Sequence, residues 1–197
     1  MKHLVQKQLA QSIATLQATL ADLHIADTVS AAAEVTANAM LAGRKLMVAG
    51  NGGSAADAQH LVAEFVVRLK TNRPALRAIA LTTDSSIITA GGNDFGFDCI
   101  FARQIEALGQ PGDIFLGIST SGNSKNILQA LQQAKEMNIT TIGFSGCGGG
   151  TMKSLCDHNV IIPSDVTMNI QECHLALEHI FCMAVERFYF GRDIDAM

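Results

Sequence analysis

The sequence lacks the features that several classes of protein require. Its 14 lysines and arginines against 18 acidic residues give a formal net charge of −4, and no basic patch occurs. A nucleic-acid-binding protein would usually show such a patch, so we expect no nucleic acid among its partners. Lys70, Arg73 and Arg77 form only a loose group, which we interpret as a solvated helix end. With 3 prolines and 48% hydrophobic residues over 197 positions, the composition predicts a globular chain with a sizeable core.

Cysteine pairs at the spacing of metal or redox motifs are also absent. The five cysteines form no CxxC pair and no zinc-knuckle spacing, and their number is odd. Residues 1–20 are polar and charged with spaced leucines, unlike an export signal or a membrane span. We therefore expect reduced thiols, mostly small core residues, in a cytoplasmic protein with no membrane partner.

Short apolar runs alternate with helical patterns after residue 43. Before it, apolar positions at helical spacing predict two helices, at 3–22 and 27–42, with Gly43 as a stop. Buried strands are predicted at 45–50, 78–81, 113–118, 140–144 and 159–162. Further helices are predicted at 54–70, 85–91, 98–108, 123–137, 151–155 and 168–190. This alternation predicts an α/β three-layer sandwich, in which helices flank a central five-stranded parallel sheet.

A serine-rich turn follows the third predicted strand. Residues 119–124 read Ser-Thr-Ser-Gly-Asn-Ser and lead into a helix. Helix N-termini offer unpaired N–H groups and the positive end of a dipole, which together attract anions. The hydroxyls that add donors belong to Ser119, Thr120, Ser121 and Ser124. A plain helix cap needs only one hydroxyl, and the lysine of a Walker loop is missing. The turn therefore predicts a site for a phosphorylated compound other than a nucleoside triphosphate.

Two further segments are rich in glycine, one directly after the first predicted strand and one at residues 91–97. After the first strand, Gly52 and Gly53 allow a ligand or backbone to come close, and Ser54 is placed to cap the next helix. The segment is not GxGxxG, so the dinucleotide fingerprint is missing, and a tight turn alone would also explain it. Because parallel sheets bind ligands beyond their carboxyl ends, we interpret it as the second wall of one crevice. In the other segment, Asn93 and Asp94 either bond sugar hydroxyls or hold a turn.

Histidine and glutamate occur together on two predicted helices. His60 and Glu64 share a helix face, where they could bind zinc, act as acid and base, or bond to each other. The polar residues within the apolar pattern of the last helix are Gln171, Glu172, His174, Glu178 and His179. Gln171 and His179 lie about 80° and roughly 12 Å apart on a straight helix. They could reach one ion only by leaning together or if Gln171 preceded the regular helix, so spacing does not choose among these residues.

Taken together, these motifs resemble the sugar isomerase (SIS) domain family. The segments that carry the resemblance are Asn51–Ser54, His60–Glu64, Gly92–Phe97, Ser119–Ser124 and Ile170–His179. Within the family they are similar to the isomerases of sedoheptulose 7-phosphate. The resemblance covers nearly the whole chain and implies a single flavodoxin-like SIS domain over residues 1–197. It also implies that the N-terminal helical extension, residues 1–43, packs in the oligomer.

The resemblance implies a role for each motif. The phosphate is held by Ser119, Thr120, Ser121 and Ser124. The sugar site is lined by Asn51, Gly52, Gly53, Ser54, Asn93 and Asp94. One zinc ion per subunit is bound by His60, Glu64, Gln171 and His179, and Glu64 and Gln171 also touch the substrate. The family assembles as a homotetramer with active sites between subunits.

The implied reaction converts sedoheptulose 7-phosphate to D-glycero-D-manno-heptose 7-phosphate. This is the first step in making ADP- or GDP-heptose precursors for lipopolysaccharide. An aldose–ketose isomerisation moves a proton between C1 and C2 through an enediol, and we hypothesise Glu64 as base and His179 as partner acid. One alternative is a non-catalytic family branch that binds a replication initiator, against which the presence of both residues argues. Another is a sugar-phosphate sensor or an isomerase of a different sugar phosphate.

Overall fold

Helices alternate with parallel strands along most of the chain. The computed structural model describes residues 1–191. The described helices are α1 (Lys2–Ala21), α2 (Leu23–Leu41), α3 (Gly53–Val66), α4 (Ser85–Phe95), α5 (Ile100–Leu108), α6 (Lys125–Glu136), α7 (Met152–Leu155) and α8 (Thr167–Phe190). The described strands are β1 (Leu46–Gly50), β2 (Ala78–Ala80), β3 (Ile114–Ser119), β4 (Thr140–Ser145) and β5 (His158–Ile161). They form one parallel sheet in the order β2-β1-β3-β4-β5, which confirms the predicted three-layer α/β fold.

The central strands are buried on both faces of the sheet. Every residue of β1 and β3 is buried, and alternate side chains enter two separate cores. Leu46 and Val48 pack with α2, α3 and α8, whereas Met47 and Phe115 pack with α5 and α6. Burying a side chain of this size contributes about 1.5–3 kcal/mol. The strands therefore need helices on both faces, which explains why they read as continuous apolar runs.

Asp22 separates the two N-terminal helices. Its carboxylate accepts a hydrogen bond from the N–H of His24 at 3.0 Å, and this N-cap starts α2 at Leu23 rather than at the predicted residue 27. α2 is largely buried, whereas α1 buries only Thr15 and Thr19. The apolar residues that α1 exposes are Leu4, Val5, Leu9, Ile13, Leu16 and Leu20.

The helices α3 and α8 pack on the same face of the sheet and run in the same direction. Their contacts advance together along both helices, from Gly53 with Gln171 to His60 with His179. Farther along, the rings of Phe65 and Phe181 meet at 6.0 Å. We call this line of contacts the α3–α8 seam. Because α3 follows β1 directly, the seam begins at the carboxyl edge of the sheet.

Two further predicted helix boundaries are wrong. α3 ends at Val66 rather than residue 70, and Arg73 turns back to donate to two carbonyls of its last turn. α4 continues through Gly91 and Gly92 to Phe95, where the sequence predicts a glycine-rich segment outside the helix. Its start is fixed by an N-cap that sequence analysis did not use, since Asp84 accepts the N–H of the third helical residue at 2.9 Å.

The five cysteines lie at different depths in the fold. All five cysteines are free, as predicted, but fewer lie in the core than expected. Cys173 and Cys182 are buried, Cys99 and Cys156 are half-buried, and Cys147 is exposed. Within residues 1–191, no helix combines the length and the apolarity needed to cross a bilayer.

Candidate functional site

The carboxyl ends of β1 and β3 border a crevice. β2 pairs with one side of β1 and β3 pairs with the other, so the strand order reverses between β1 and β3. Open α/β sheets bind ligands at such a switch point. The glycine-rich turn after β1 and the serine-rich turn after β3 are therefore neighbours. Asn51 and Asn126 join them, since each side-chain amide donates to the oxygen of the other at 2.8 Å.

Serine hydroxyls converge in the turn after β3. The Oγ atom of Ser119 lies 2.9 Å from that of Ser124 and 3.4 Å from that of Ser121. Ser124 occupies the N-cap position of α6, yet its side chain makes no capping hydrogen bond to the helix. The N–H groups of the first helical turn are thus not used by this side chain, and an anion can take them. Residues 119–124 form what we call the phosphate turn.

The glycine-rich loop after β4 holds the phosphate turn from behind. The N–H of Gly146 donates to the carbonyl of Thr120 at 3.0 Å. The side-chain oxygen of Asn123 accepts from the N–H of Thr151 at 2.9 Å and from its hydroxyl at 2.8 Å. A Cβ atom on Gly122 would overlap the backbone of this loop, so only glycine fits there. These contacts fix the shape of the turn before any ligand arrives.

Two histidines and a glutamate converge across the α3–α8 seam. The Nε2 atoms of His60 and His179 are 2.9 Å apart, and Oε1 of Glu64 lies 3.5 Å from Nε2 of His60. One ligand atom from each residue lies within 4.8 Å of the others. Imidazole nitrogen and carboxylate oxygen are ligands that zinc prefers. Tetrahedral bonds of about 2.0–2.1 Å would separate two such nitrogens by roughly 3.3 Å, so a small ring adjustment fits an ion. We call this group the metal trio.

Gln171 lies at the start of the same seam. α8 begins at Thr167, so Gln171 is inside the regular helix rather than before it. Its amide rests on Gly53, where a Cβ atom would overlap the amide nitrogen. This contact places Gln171 against the glycine-rich turn after β1. Its role as a fourth metal ligand stays a prediction.

The remaining predicted site residues lie on α3 and α4. Ser54 is buried in the first turn of α3, but Gly52 and not Ser54 occupies the N-cap, so the predicted cap is wrong. Asn93 and Asp94 are exposed on α4, and the amide of Asn93 donates to Asp94 at 2.7 Å. Their contact with a sugar stays a prediction.

Buried polar groups lie close to the trio on the same helices. Nε2 of His174 donates to the carbonyl of Ser145 at 3.0 Å, and among the described residues its Nδ1 has no partner. Burial lowers the pKa of His174 to about 4. Burial, and then the nearby charge of Asp57, raises the pKa of Glu178 to about 8. Near neutral pH the interior therefore carries a neutral imidazole and a largely protonated carboxyl, which avoids the cost of buried charge.

A buried ion pair closes the far end of the seam. Nε and Nη2 of Arg73 lie 2.7 and 2.6 Å from Oε1 of Glu186, and the two side chains are only 3% and 5% exposed. The prediction that Arg73 belongs to a solvated helix end is therefore wrong. Because its partner lies 113 residues away in the sequence, no local pattern indicated the pair. No local pattern indicated Asn126 either, since its hydrogen-bond partner Asn51 is 75 residues away.

Comparison with known families identifies the architecture that carries this site. The SIS domain family profile matches residues 9–146, which include the phosphate turn. The chain belongs to the SIS domain family. This confirms the resemblance drawn from the motifs. Two members of the metal trio, His60 and Glu64, lie within the matched range, whereas His179 lies beyond it.

Individual relatives extend the similarity of this SIS-domain chain through α8. A phosphoheptose isomerase of Clostridium acetobutylicum is 45% identical over 99% of this chain and 100% of its own length. One from Bradyrhizobium sp. is 50% identical over 93% of this chain and 92% of its own. The solved phosphoheptose isomerase of Neisseria gonorrhoeae is 38% identical, with a TM-score of 0.88 over 94% of this chain and 98% of that one. That from Francisella tularensis is 35% identical, with a TM-score of 0.89 over 93% and 96%.

Proposed function

We propose that this SIS-domain chain is a phosphoheptose isomerase that converts sedoheptulose 7-phosphate to D-glycero-D-manno-heptose 7-phosphate. The observation that carries the proposal is the presence of a phosphate turn and a His–Glu–His trio in a chain that matches named phosphoheptose isomerases from end to end. C1 and C2 of the sugar lie at the opposite end of its carbon chain from the phosphate on C7. The substrate therefore needs separate phosphate-binding and acid–base groups.

The phosphate turn and the β1 turn bind the substrate in this proposal. Donors for the phosphate come from Ser119, Thr120, Ser121, Ser124 and the start of α6. The sugar hydroxyls meet Asn51, Gly52, Gly53, Ser54, Gln171, Asn93 and Asp94. The mutual hydrogen bonds of Asn51 and Asn126 support this arrangement, because they hold the two turns side by side. A prearranged site reduces the ordering cost of binding.

Glu64 and His179 perform the proton transfers. The Glu64 carboxylate takes a proton from C1, the electron pair of that C–H bond forms the C1–C2 double bond, and the C2 oxygen gains a proton from His179. Return of a proton to C2 and loss of the proton on the C1 oxygen then yield the aldose. Glu64 is only 16% exposed, and partial exclusion of water favours such a transfer.

A zinc ion in each subunit fits the trio and would be held by His60, Glu64, His179 and, as a fourth ligand, Gln171. When bound, zinc supplies Lewis acidity toward the oxygens of the substrate. Glu64 has two carboxylate oxygens, so one can ligate while the other accepts the proton.

The chain acts as one SIS domain in a cytoplasmic homotetramer that supplies heptose precursors for lipopolysaccharide. Leu9, Ile13, Leu16 and Leu20 support the assembly, because their spacing of four, three and four residues places exposed apolar side chains on one face of α1. In the assembled protein, this face meets a neighbouring subunit.

The alternative of a non-catalytic partner of a replication initiator is not favoured. Relatives at 45 and 50% identity over nearly the whole chain are named phosphoheptose isomerases, and the chain retains both Glu64 and His179. A sensor of sugar phosphates would need the phosphate turn, but it would not need the base and the acid that the metal trio contains.

A direct assay tests the function. Purified protein is incubated with sedoheptulose 7-phosphate, and the aldoheptose phosphate is measured before chelation, after chelation and after zinc is restored. We expect product, its loss on chelation and its return with zinc. Absence of product under all three conditions would overturn the isomerase, whereas product that survives chelation would overturn only the role of the metal.

A further inference from the structure

The metal trio depends on the relative position of two helices. His60 and Glu64 lie on α3, whereas His179 lies on α8, so any shift of one helix along the other changes the distances within the trio. Metal sites tolerate bond-length errors of only about 0.2 Å. The packing next to the trio is apolar, with the rings of Phe65 and Phe181 in contact. Apolar packing is not directional, so it does not by itself fix this position so finely.

Directional contacts occur where Arg73 meets both helices. Its guanidinium donates to the backbone carbonyl of Glu64 at 2.6 Å and to that of Phe65 at 2.7 Å, both in the last turn of α3. The same group is paired with Glu186 of α8. Glu186 follows His179 by seven residues, about two helical turns, and so shares its face. One rigid, buried side chain therefore joins the backbone of one trio member to the helix face of another.

We propose that the Arg73–Glu186 pair positions the metal trio by fixing α3 against α8. The inference rests on the metal site proposed above. Neither residue is a catalytic residue; both act through Glu64 and His179. The planar fork of arginine suits this task, because it can bond two carbonyls and a carboxylate at once, which a lysine ammonium cannot do with the same geometry. Burial makes the pair rigid as well as costly to break.

The test compares zinc affinity in variants that keep the fold. The double variant Arg73→Met/Glu186→Met removes both charges together, because replacing a whole buried pair with apolar side chains preserves stability better than removing one partner. Arg73→Lys keeps the charge and loses the fork. The matched control is Arg103→Met/Glu106→Met, which removes an ion pair on α5 that is 55% and 58% exposed. Folding is checked by circular dichroism and thermal melts, and zinc affinity by competition with a chelating dye.

We expect the double variant and Arg73→Lys to bind zinc roughly 10–100-fold more weakly, as is typical when outer-shell partners of a metal site are lost. Saturating zinc restores kcat, KM for the sugar phosphate stays within about two-fold because the phosphate turn lies on other elements, and the control matches the wild type. A rise in KM for the sugar phosphate with unchanged zinc affinity would overturn the proposal.

Other outcomes separate the inference from the function. If the wild-type protein binds no zinc, the metal site and this inference both fall. If the wild type binds zinc and a folded variant binds it equally well, only the positioning role falls. Arg73→Lys decides the matter if the double variant does not fold.

Discussion

At the scale of single residues, Ser124 departs from the usual behaviour of a serine at a helix start. A serine at an N-cap position normally accepts a hydrogen bond from its own helix. Here its hydroxyl pairs with Ser119 at 2.9 Å and leaves the helix uncapped by a side chain. The protein thus gives up a stabilising contact, typically about 1 kcal/mol, and keeps N–H groups for an anion.

Glu64 gives the sharpest prediction at this scale. Glu64→Gln keeps the size of the side chain but removes the base, so we expect turnover to fall by roughly 10²–10⁴-fold. Binding of sedoheptulose 7-phosphate, measured by calorimetry, is expected to persist, because the phosphate turn is unchanged. Glu106→Gln, at an exposed position, is the control. Turnover equal to that of the wild type would show that another residue is the base.

His174 predicts how stability depends on pH. Its pKa is about 4 in the folded protein against 6.5 when exposed, so between these values the unfolded chain binds a proton that the folded chain refuses. The contribution of His174 to the free energy of unfolding therefore rises with pH from about 4 to 6.5, and this contribution, roughly 3 kcal/mol, is lost as the pH falls through that window. Glu178, whose pKa is raised to about 8, contributes with the opposite sign between about 4.5 and 8. Urea unfolding of both proteins at pH 5 and 7.5 should show that the stability of the wild type relative to His174→Gln is greater at pH 7.5 than at pH 5, because the contribution of Glu178 is common to both proteins.

The control for this prediction is an exposed histidine. His3 lies on the exposed surface of α1, so His3→Gln is expected to keep the pH dependence of the wild type. An unchanged slope in His174→Gln would mean that other groups set the acid limit of stability.

At the scale of elements, the sequence predicts a helix or strand correctly when the residues that determine it are close together in the chain. The central strands β1 and β3 are predicted closely because strands buried on both faces need apolar residues throughout. α4 was predicted to stop near Gly91 because glycine weakens isolated helices by about 1 kcal/mol, yet the folded chain carries the helix on to Phe95. Arg73 was misplaced because its partner belongs to α8, which no local pattern reveals.

The phosphate turn gives a prediction about an element. Gly122 has φ of +64°, and a Cβ atom there would overlap the loop after β4. Gly122→Ala should therefore push the two segments apart and raise KM for the sugar phosphate about ten-fold or more, since the turn supplies several charge-assisted hydrogen bonds. Gly43→Ala is the matched control, because Gly43 also has positive φ, at +78°, but open space around its Cβ position.

The two alanine variants share the same backbone strain, but only one of them also creates a steric overlap. Both place alanine in the left-handed region, which costs about 1–2 kcal/mol of stability. Only Gly122→Ala meets the neighbouring backbone. Equal KM values for the two variants would mean that the shape of the turn does not control phosphate binding.

At the scale of the whole molecule, α1 exposes an apolar face that a monomer would leave in water. Ile13→Lys/Leu16→Lys places two charges on this face, so we expect the proposed tetramer to dissociate into smaller species. Light scattering after size-exclusion chromatography measures the change. Gln11→Lys, at an exposed polar position on the opposite face of the same helix, should leave the mass unchanged. A wild-type chain that elutes as a monomer would contradict the proposed assembly.

The individual segments of the site could be predicted from the sequence, but most of the contacts between them could not. The phosphate turn could be read from consecutive residues, and His60 with Glu64 from one helix face. The grouping of His60 and Glu64 with His179 as metal ligands rested on the family resemblance. Spacing along α8 did not distinguish Gln171, His174, Glu178 and His179 as the ligand on that helix. The structure separates these: His179 meets the trio, Gln171 rests on Gly53, and His174 and Glu178 turn inward.

The distance along the chain between His60 and His179 has a consequence for the order of synthesis. The two residues meet across 119 positions, and Arg73 meets Glu186 across 113. Contacts of such long separation form late, after the intervening segments have closed. A chain whose α8 has not yet left the ribosome holds only two members of the trio, His60 and Glu64. The sheet can therefore assemble without help from a metal ion, and an ion in the proposed site would join a protein that is already folded.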